Sequence, residues 1–483
     1  MAEADILKGL VTPSNERLQA VLLDHLPVRG SGMVLGLVQV AETAVFVFVL
    51  AWICSRLMGT RESGDDGATP ALSIPATMVA TAVAAVVFMT SACSPSAGLF
   101  ALFSRWDHLL FCAATGLALS GARRGIRTTA LTAISLFFLV VHDALWSVLL
   151  IAAGGLAGFA ALRLMRNASA AAVAAVQGIV LVAMTCAWWF ERSVNGLIAL
   201  QLQGAFAYFL LRHISFVVEM RRGSPAGIGD YLCYMFLYTS FYASETFDEF
   251  SARNLDRAGT YDYRAAATGI VLGQLAMWGS FQIDITFEQV LAAHGTLVTW
   301  YDSILLFVRG SLFLIGIWST IESAALLYGV VLRPNFTGIL TSENPAQFWR
   351  AWRGTMTNWL IRYVYIPLGG NRRHQSLNIL AAFAFSTAWH CMGVTVFARY
   401  VAPIDFAPVL TWGAINALAV IGYTHYRRYS PAILPAATPP ALRRLSKIGL
   451  MAGFASLTVT LLGFRPVNSE LFVPFVLRLL GQH

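Results

Sequence analysis

Apolar runs about as long as a bilayer is thick recur along this chain, and short clusters of arginine punctuate them. Runs of about 20 apolar residues predict membrane-spanning helices. The clearest are Met33 to Leu57, Leu72 to Cys93, Val173 to Phe190, Leu197 to Val218, Ser311 to Leu332, Leu377 to Val401, Val409 to Tyr423 and Ile448 to Phe464. Between Arg127 and Arg163 the stretch is too long for one pass. Two short passes turning near His142-Asp143 would return both arginine clusters to one side, in keeping with the bias of basic loops towards the cytoplasm. Arg163 to Arg166 and Arg221-Arg222 fall on that side as well, and the same rule makes the Arg350 to Arg373 block cytoplasmic. The expected fold is an all-α polytopic membrane protein of about 11 to 13 membrane helices, some of them short, re-entrant or interfacial. The loops Glu62 to Asp66, Arg253 to Arg264 and Pro431 to Pro440 are its main connectors.

Ahead of Met33 there is no sustained apolar stretch, which argues against a cleavable signal peptide. Pro13-Ser14 followed by Leu18, Val21, Leu22 and Leu26 has the cap and spacing of a short amphipathic helix, lying on the membrane surface or docked against the bundle. Residues 1–32 therefore read as an N-terminal interfacial segment and residues 33–483 as a single membrane domain. Asp230 to Phe250 is unusual, mixing tyrosines and phenylalanines with Glu245, Asp248 and Glu249. Such a mixture suits an interfacial or cavity-lining segment.

Composition agrees with the pattern, since 57% of the 483 residues are hydrophobic and only 12% charged. A soluble protein carries about 25% charged residues. The net charge of +8 comes almost wholly from arginine, with Lys8 and Lys447 the only lysines. Topology accounts for those arginines without a nucleic-acid partner. Arginine dominance also suggests a GC-rich bacterial genome, and hence a bacterial plasma membrane. The six cysteines lack CxxC spacing, so neither a metal site nor a disulfide framework is signalled.

Candidate chemistry concentrates near the C-terminal third. His390 lies about 13 residues into an apolar run, which is roughly 20 Å along a helix and well inside a hydrocarbon core. Its imidazole must face protein or a water-filled cavity, as an interhelical tie or as a reactive group. Upstream, Phe348, Trp349, Trp352, Met356, Trp359 and Tyr363 recur at helical spacing, with Arg350, Arg353 and Thr357 on the remaining surface. This predicts one interfacial helix ended by Pro367 and Gly369-Gly370. Its arginines could hold phosphate or snorkel to lipid. Asn358 falls on a different face of that helix from Arg353, where it could orient substrate or tie helices together. Glu322, within Ser311 to Leu332, is either a helix tie or part of a cavity wall. Cys391 adjoins His390, but successive helical residues project about 100° apart, which disfavours a cysteine-histidine pair.

The run Phe348-Trp349-Arg350-Ala351-Trp352-Arg353, then Trp359-Leu360, Tyr363 through Arg372, and Trp389-His390 resembles the membrane-bound O-acyltransferase family. The likeness is to its branch of alginate, D-alanyl and glycerol-uptake-related proteins. It is detailed over roughly residues 311 to 395, weaker over Tyr234 to Phe250, and places a family-like core at about residues 230–401. The resemblance implies a helical bundle with a central tunnel, an acyl-CoA or acyl-carrier-protein thioester as donor substrate, no bound cofactor or metal, and a hydroxyl acceptor. It also implies that His390 is the catalytic base. Arg350, Arg353, Arg362, Arg372 and Arg373 would then hold donor phosphates, and Trp349, Trp352, Trp359 and Trp389 would line the tunnel.

Three departures qualify the match. Arg353 stands where the branch commonly has a second histidine, Cys391 where a glycine often follows the catalytic histidine, and Ala243-Ser244-Glu245 near the place of a Gly-Pro pair. Arginine stays protonated and cannot be a general base. Its role must be to anchor an anion or polarise the thioester carbonyl. The alternative is a non-catalytic relative, acting as a transporter or as a lipid- or partner-binding scaffold.

Overall fold

A computed structural model describes residues 33–58, 77–84, 105–142, 145–195, 200–241, 243–255, 259–398, 406–429, 439–463 and 471–481. The expected amphipathic helix within residues 1–32, the Glu62 to Asp66 loop and most of the Pro431 to Pro440 loop lie outside them. Among the described residues every extended element is helical, and the only β-type pairing is one isolated bridge between Phe336 and Trp352.

Two compact bodies divide the chain. The N-terminal body comprises Met1–Gln274 and Ser319–Arg333, and the C-terminal body Leu275–Trp318 and Pro334–His483. Fifteen helices are named here: α1 (Met33–Met58), α2 (Trp106–Leu119), α3 (Arg124–His142), α4 (Leu145–Leu164), α5 (Ala170–Asn195), α6 (Leu200–Arg221), α7 (Ile228–Phe236), α8 (Tyr263–Phe281), α9 (Thr296–Leu327), α10 (Pro345–Ala351), α11 (Gly354–Leu360), α12 (Gln375–Ala398), α13 (Ala407–Tyr429), α14 (Pro440–Gly463) and α15 (Phe472–Leu479). Among the described residues, Thr296–Leu327 and Ala407–Arg427 are long and apolar enough to cross a bilayer.

In the N-terminal body α3 and α4 occupy the Arg127 to Arg163 stretch as two helices packed on each other, so the stretch is divided as expected. Small residues let α4 approach its neighbours closely. A Cβ on Gly154 would sit 2.4 Å from Met184 of α5, and one on Gly158 would sit 2.6 Å from the His213 ring of α6. The Asp230 to Phe250 segment is not interfacial. Tyr231, Tyr234, Phe236, Tyr238, Phe241, Phe247 and Phe250 are all buried, and they form the aromatic centre of this body. Two of its buried tyrosine hydroxyls are tied to backbone carbonyls, which lowers the cost of their burial. The Tyr234 hydroxyl donates to the Glu245 carbonyl, and Tyr231 donates to the Gly155 carbonyl. Helix α9 stops at Gly329, whose φ of 78° permits the closing bond from the Val330 N–H to the Ala325 carbonyl at 3.0 Å. The Arg253 to Arg264 connector gives way to helix at Tyr263, where α8 begins.

In the C-terminal body α12 packs along α13, and α13 along α14. Gly413 of α13 lies so close that an added Cβ would meet the Thr387 hydroxyl of α12 at 1.9 Å. Phe475 and Leu479 of α15 join Ile285, Val290 and Leu291 in a separate apolar cluster. The α12–α13 pair positions the candidate site.

Candidate active site

The aromatic and arginine-rich stretch is two helices, not one. Helix α10 ends at Ala351, Trp352 pairs with Phe336, and α11 restarts at Gly354 after Arg353, whose φ of 51° and ψ of 57° are left-handed. Left-handed backbone is uncommon for a residue with a Cβ. The cause lies in the strap 334–337. Its Asn335 carbonyl accepts the Gly354 N–H at 2.8 Å, and its Thr337 N–H donates to the Ala351 carbonyl at 3.2 Å. Gly354 faces the Pro334 carbonyl so closely that a Cβ would approach it to 2.6 Å. Thr357 closes the break by donating its hydroxyl to the Trp349 carbonyl at 2.6 Å. The premise that Asn358 and Arg353 lie on different faces of one helix therefore fails, because no single helix carries both; Asn358 sits half-buried within α11.

His390 lies on α12, which continues through Cys391 as regular helix. Its Nδ1 is 2.7 Å from the Ser386 carbonyl. A carbonyl only accepts, so Nδ1 carries the proton, and the neutral ring presents Nε2 as a lone-pair base. The imidazole packs on Trp412 of α13, with ring centroids 4.7 Å apart. Trp412 is 1% exposed, and its indole N–H meets no acceptor among the described residues. Trp349 stands edge-on to Trp412 at 5.6 Å, and its own indole N–H donates to Asn416 at 3.1 Å. Asn416 in turn donates to the Trp412 carbonyl at 2.8 Å. Trp412 and Asn416 are absent from the sequence-based candidates. Their i, i+4 spacing as polar-capable residues in the Val409 to Tyr423 run was the available signal.

An unbroken series of ring contacts joins this pair to Arg353. Trp349 touches Phe348, which stacks on Trp352; Trp352 meets Phe336, and Phe336 meets Trp318. The Arg353 guanidinium lies 5.8 Å from the Trp318 ring centre, a cation–π distance.

The remaining candidates fall elsewhere. Trp389 stacks on Phe385 at 6.5 Å, and Phe385 lies 5.4 Å from Trp359 of α11. Arg350 is exposed on α10. Arg362 lies in a π-helical turn over residues Ile361–Tyr365, 5.9 Å from the Tyr363 ring. Beyond it, Gly369 and Gly370 take φ of 113° and 55°, and Asn378 donates to the Gly370 and Arg373 carbonyls at 2.9 and 2.6 Å. The tied turn leaves Arg372 and Arg373 exposed together. Glu322 belongs to the N-terminal body, whereas His390 and Arg353 belong to the C-terminal one.

Residues 177–404 match the model of the membrane-bound O-acyltransferase family. The membrane-bound O-acyltransferase GUP1 of Millerozyma farinosa is 30% identical over 118 residues, 24% of this chain and 19% of its own length. The peptidoglycan O-acetyltransferase of Helicobacter pylori is 30% identical over 110 residues, 22% of this chain and 18% of its own. The probable alginate O-acetylase AlgI of Pseudomonas fluorescens is 29% identical over 121 residues, covering 21% and 24%. The matched stretches thus span less than a quarter of these relatives, at 19%, 18% and 24% of their lengths.

Proposed function

We propose, from the premise that residues 177–404 are a membrane-bound O-acyltransferase family domain, that this chain moves a short acyl group from a thioester to a hydroxyl. The observation that supports the reading is the bond from His390 Nδ1 to the Ser386 carbonyl, which leaves Nε2 as the lone-pair nitrogen of the neutral ring. Nε2 takes the proton of the acceptor hydroxyl as its oxygen bonds to the thioester carbonyl carbon. The C–S bond then breaks, and the proton passes to the departing thiolate, which returns the imidazole to its neutral form. Proton transfer by a positioned base contributes typically about 10²- to 10⁴-fold.

Trp412 and Trp349 hold the ring in place. Arg353 supplies fixed positive charge towards the carbonyl oxygen or an anionic part of the donor. Arg372 and Arg373, exposed on the turn before α12, suit the phosphates of coenzyme A or of a carrier protein's prosthetic arm. The fold around the site is read as a bundle of about 11 to 13 membrane helices with a tunnel, in a bacterial plasma membrane. The acceptor class is an extracytoplasmic polysaccharide, a lipid or a secreted hydroxylated metabolite. Nucleic acid has no part in it.

Purified wild type and His390→Ala, matched by thermal melt, would be incubated with radiolabelled acetyl-CoA and each acceptor class. Wild type should transfer label and the variant should not. Equal turnover by both would overturn the assignment.

A further inference from the structure

At one end of the N-terminal body, the loop between α6 and α7 faces the start of α3 and the end of α4 across an open cavity of about 740 Å³. Arg124, Arg163, Met220, Ser224, Pro225 and Asp230 are among its lining residues. The cavity falls within the size range of small-ligand sites, about 300 to 1,000 Å³.

Its walls are built, not incidental. Arg124 lies 3.0 Å from the Asp230 carboxylate, which also accepts the Gly227 N–H at 3.0 Å. Arg163 donates to the Ala226 carbonyl. These ties orient both guanidiniums while leaving them exposed. Each guanidinium has about five N–H donors in a planar fork that matches phosphate oxygens.

Charge and apolar exposure together indicate what would enter. Arg123, Arg166, Arg221 and Arg222 neighbour the lining residues in the chain and are exposed; Glu219 and Asp230 are the acids among them. A dissolved phosphate would need only these cations. Next to the same residues, however, stand Ile126, Leu164 and Ile228, which are 60%, 86% and 48% exposed. Large apolar side chains beside arginines at the ends of membrane helices belong to the headgroup boundary, on the face that the charge rule makes cytoplasmic.

We propose that this cavity binds the phosphate of an anionic phospholipid, with Arg124 and Arg163 on the headgroup and the acyl chains against Ile126, Leu164 and Ile228. The site is independent of acyl transfer, and neither reading depends on the other.

Full-length protein in a neutral detergent would be titrated with phosphatidylglycerol, phosphatidylcholine or soluble glycerol phosphate, with bound lipid counted by native mass spectrometry. Wild type should retain phosphatidylglycerol in preference to the other two. Arg124→Gln and Arg163→Gln should each weaken retention about fivefold, as expected for one basic residue at an anionic surface. Ser224→Glu leaves both arginines and their ties in place, and it should also lose the lipid while melting like wild type in detergent alone. Unchanged phosphatidylglycerol retention in these variants would overturn the site. Equal binding of phosphatidylcholine would overturn the anionic preference, and equal competition by glycerol phosphate would overturn the lipid.

Discussion

Each body of this protein places an arginine against an aromatic ring, and the two are built for different ends. Arg212, in the regular helix α6, is wholly buried 4.7 Å from the Tyr234 ring centre and donates to the Ser240 carbonyl at 3.1 Å. Arg353 is half-buried over Trp318, and it holds its neighbours only by standing in left-handed backbone between two helices. The histidines divide in the same way. His213 is bound on both ring nitrogens, by Tyr231 and by Gln177, each at 2.9 Å. His390 spends one nitrogen on a backbone carbonyl and packs its ring on Trp412. The double tie of His213 fixes it within the fold, whereas on the proposed reading the second nitrogen of His390 is kept for chemistry.

The histidines give the largest expected effect. His390→Ala should lower acyl transfer by about 10² to 10⁴ with little change in the melt. His213→Ala should do the reverse. It leaves the Gln177 side-chain oxygen without its His213 partner and opens a gap beside Tyr231, costing roughly 1 to 3 kcal/mol of stability, with turnover per folded molecule retained. Parallel melts and single-turnover assays read both, and a His213 variant that melts like wild type while losing turnover would abolish the contrast.

Next in size is the break itself. Gly354→Ala drives a Cβ into the Pro334 carbonyl and should cost roughly 1 to 3 kcal/mol while displacing Arg353. Gly178→Ala, in α5, meets nothing within 4 Å and should be neutral or mildly stabilising. Equal melting of the two variants would mean that the strap 334–337 does not enforce the break.

A smaller effect concerns pH. Glu245 is 1% exposed and accepts the Arg333 N–H, with Arg253 at 3.4 Å. Burial pushes its carboxyl above the usual carboxylate range even though the Arg253 charge opposes this. A raised acid favours the folded state at low pH, and that contribution is lost as pH climbs from the ordinary range through the folded value. Glu245→Gln removes the charge and should flatten this part of the melt-versus-pH curve, gaining on wild type as pH rises. A constant offset across pH would place the ionisable group elsewhere.

Much of this architecture was legible in the sequence. Hydropathy and arginine spacing predict α1, α5, α6, α12, α13, α14 and the α3–α4 pair, because the burial of apolar length is a local property. Helices α2 and α8 escape it, the first because Trp106-Asp107-His108 opens it with polar groups, the second because Gly269, Gln274 and Gly279 dilute its apolar run. The break at Arg353 was hidden for a different reason. Apolar side chains at 348, 352, 356, 359 and 363 keep helical spacing whether the helix is continuous or restarted, and the strap that decides the matter approaches from residues 334–337. Trp412 and Asn416 reach His390 and Trp349 only through the packing of α12 on α13, which no local pattern records.

The smallest expected stability effect asks why an arginine occupies position 353 at all. A residue with a Cβ in left-handed backbone costs roughly 1 to 2 kcal/mol, a strain that glycine does not carry. Arg353→Gly should therefore raise the melting temperature slightly even as it removes the Trp318 contact. If the guanidinium supplies charge towards the thioester carbonyl, the same variant should transfer label at least about tenfold more slowly, since one preorganised electrostatic contact is worth several kcal/mol. Arg353→Lys separates charge from shape. It keeps the positive charge and the strain but loses the planar fork, so partial activity with unchanged stability is the expected result. Stability gained with activity intact would show that the strained arginine serves neither the fold nor the chemistry. The non-catalytic reading would then extend from the second-histidine position to the whole site.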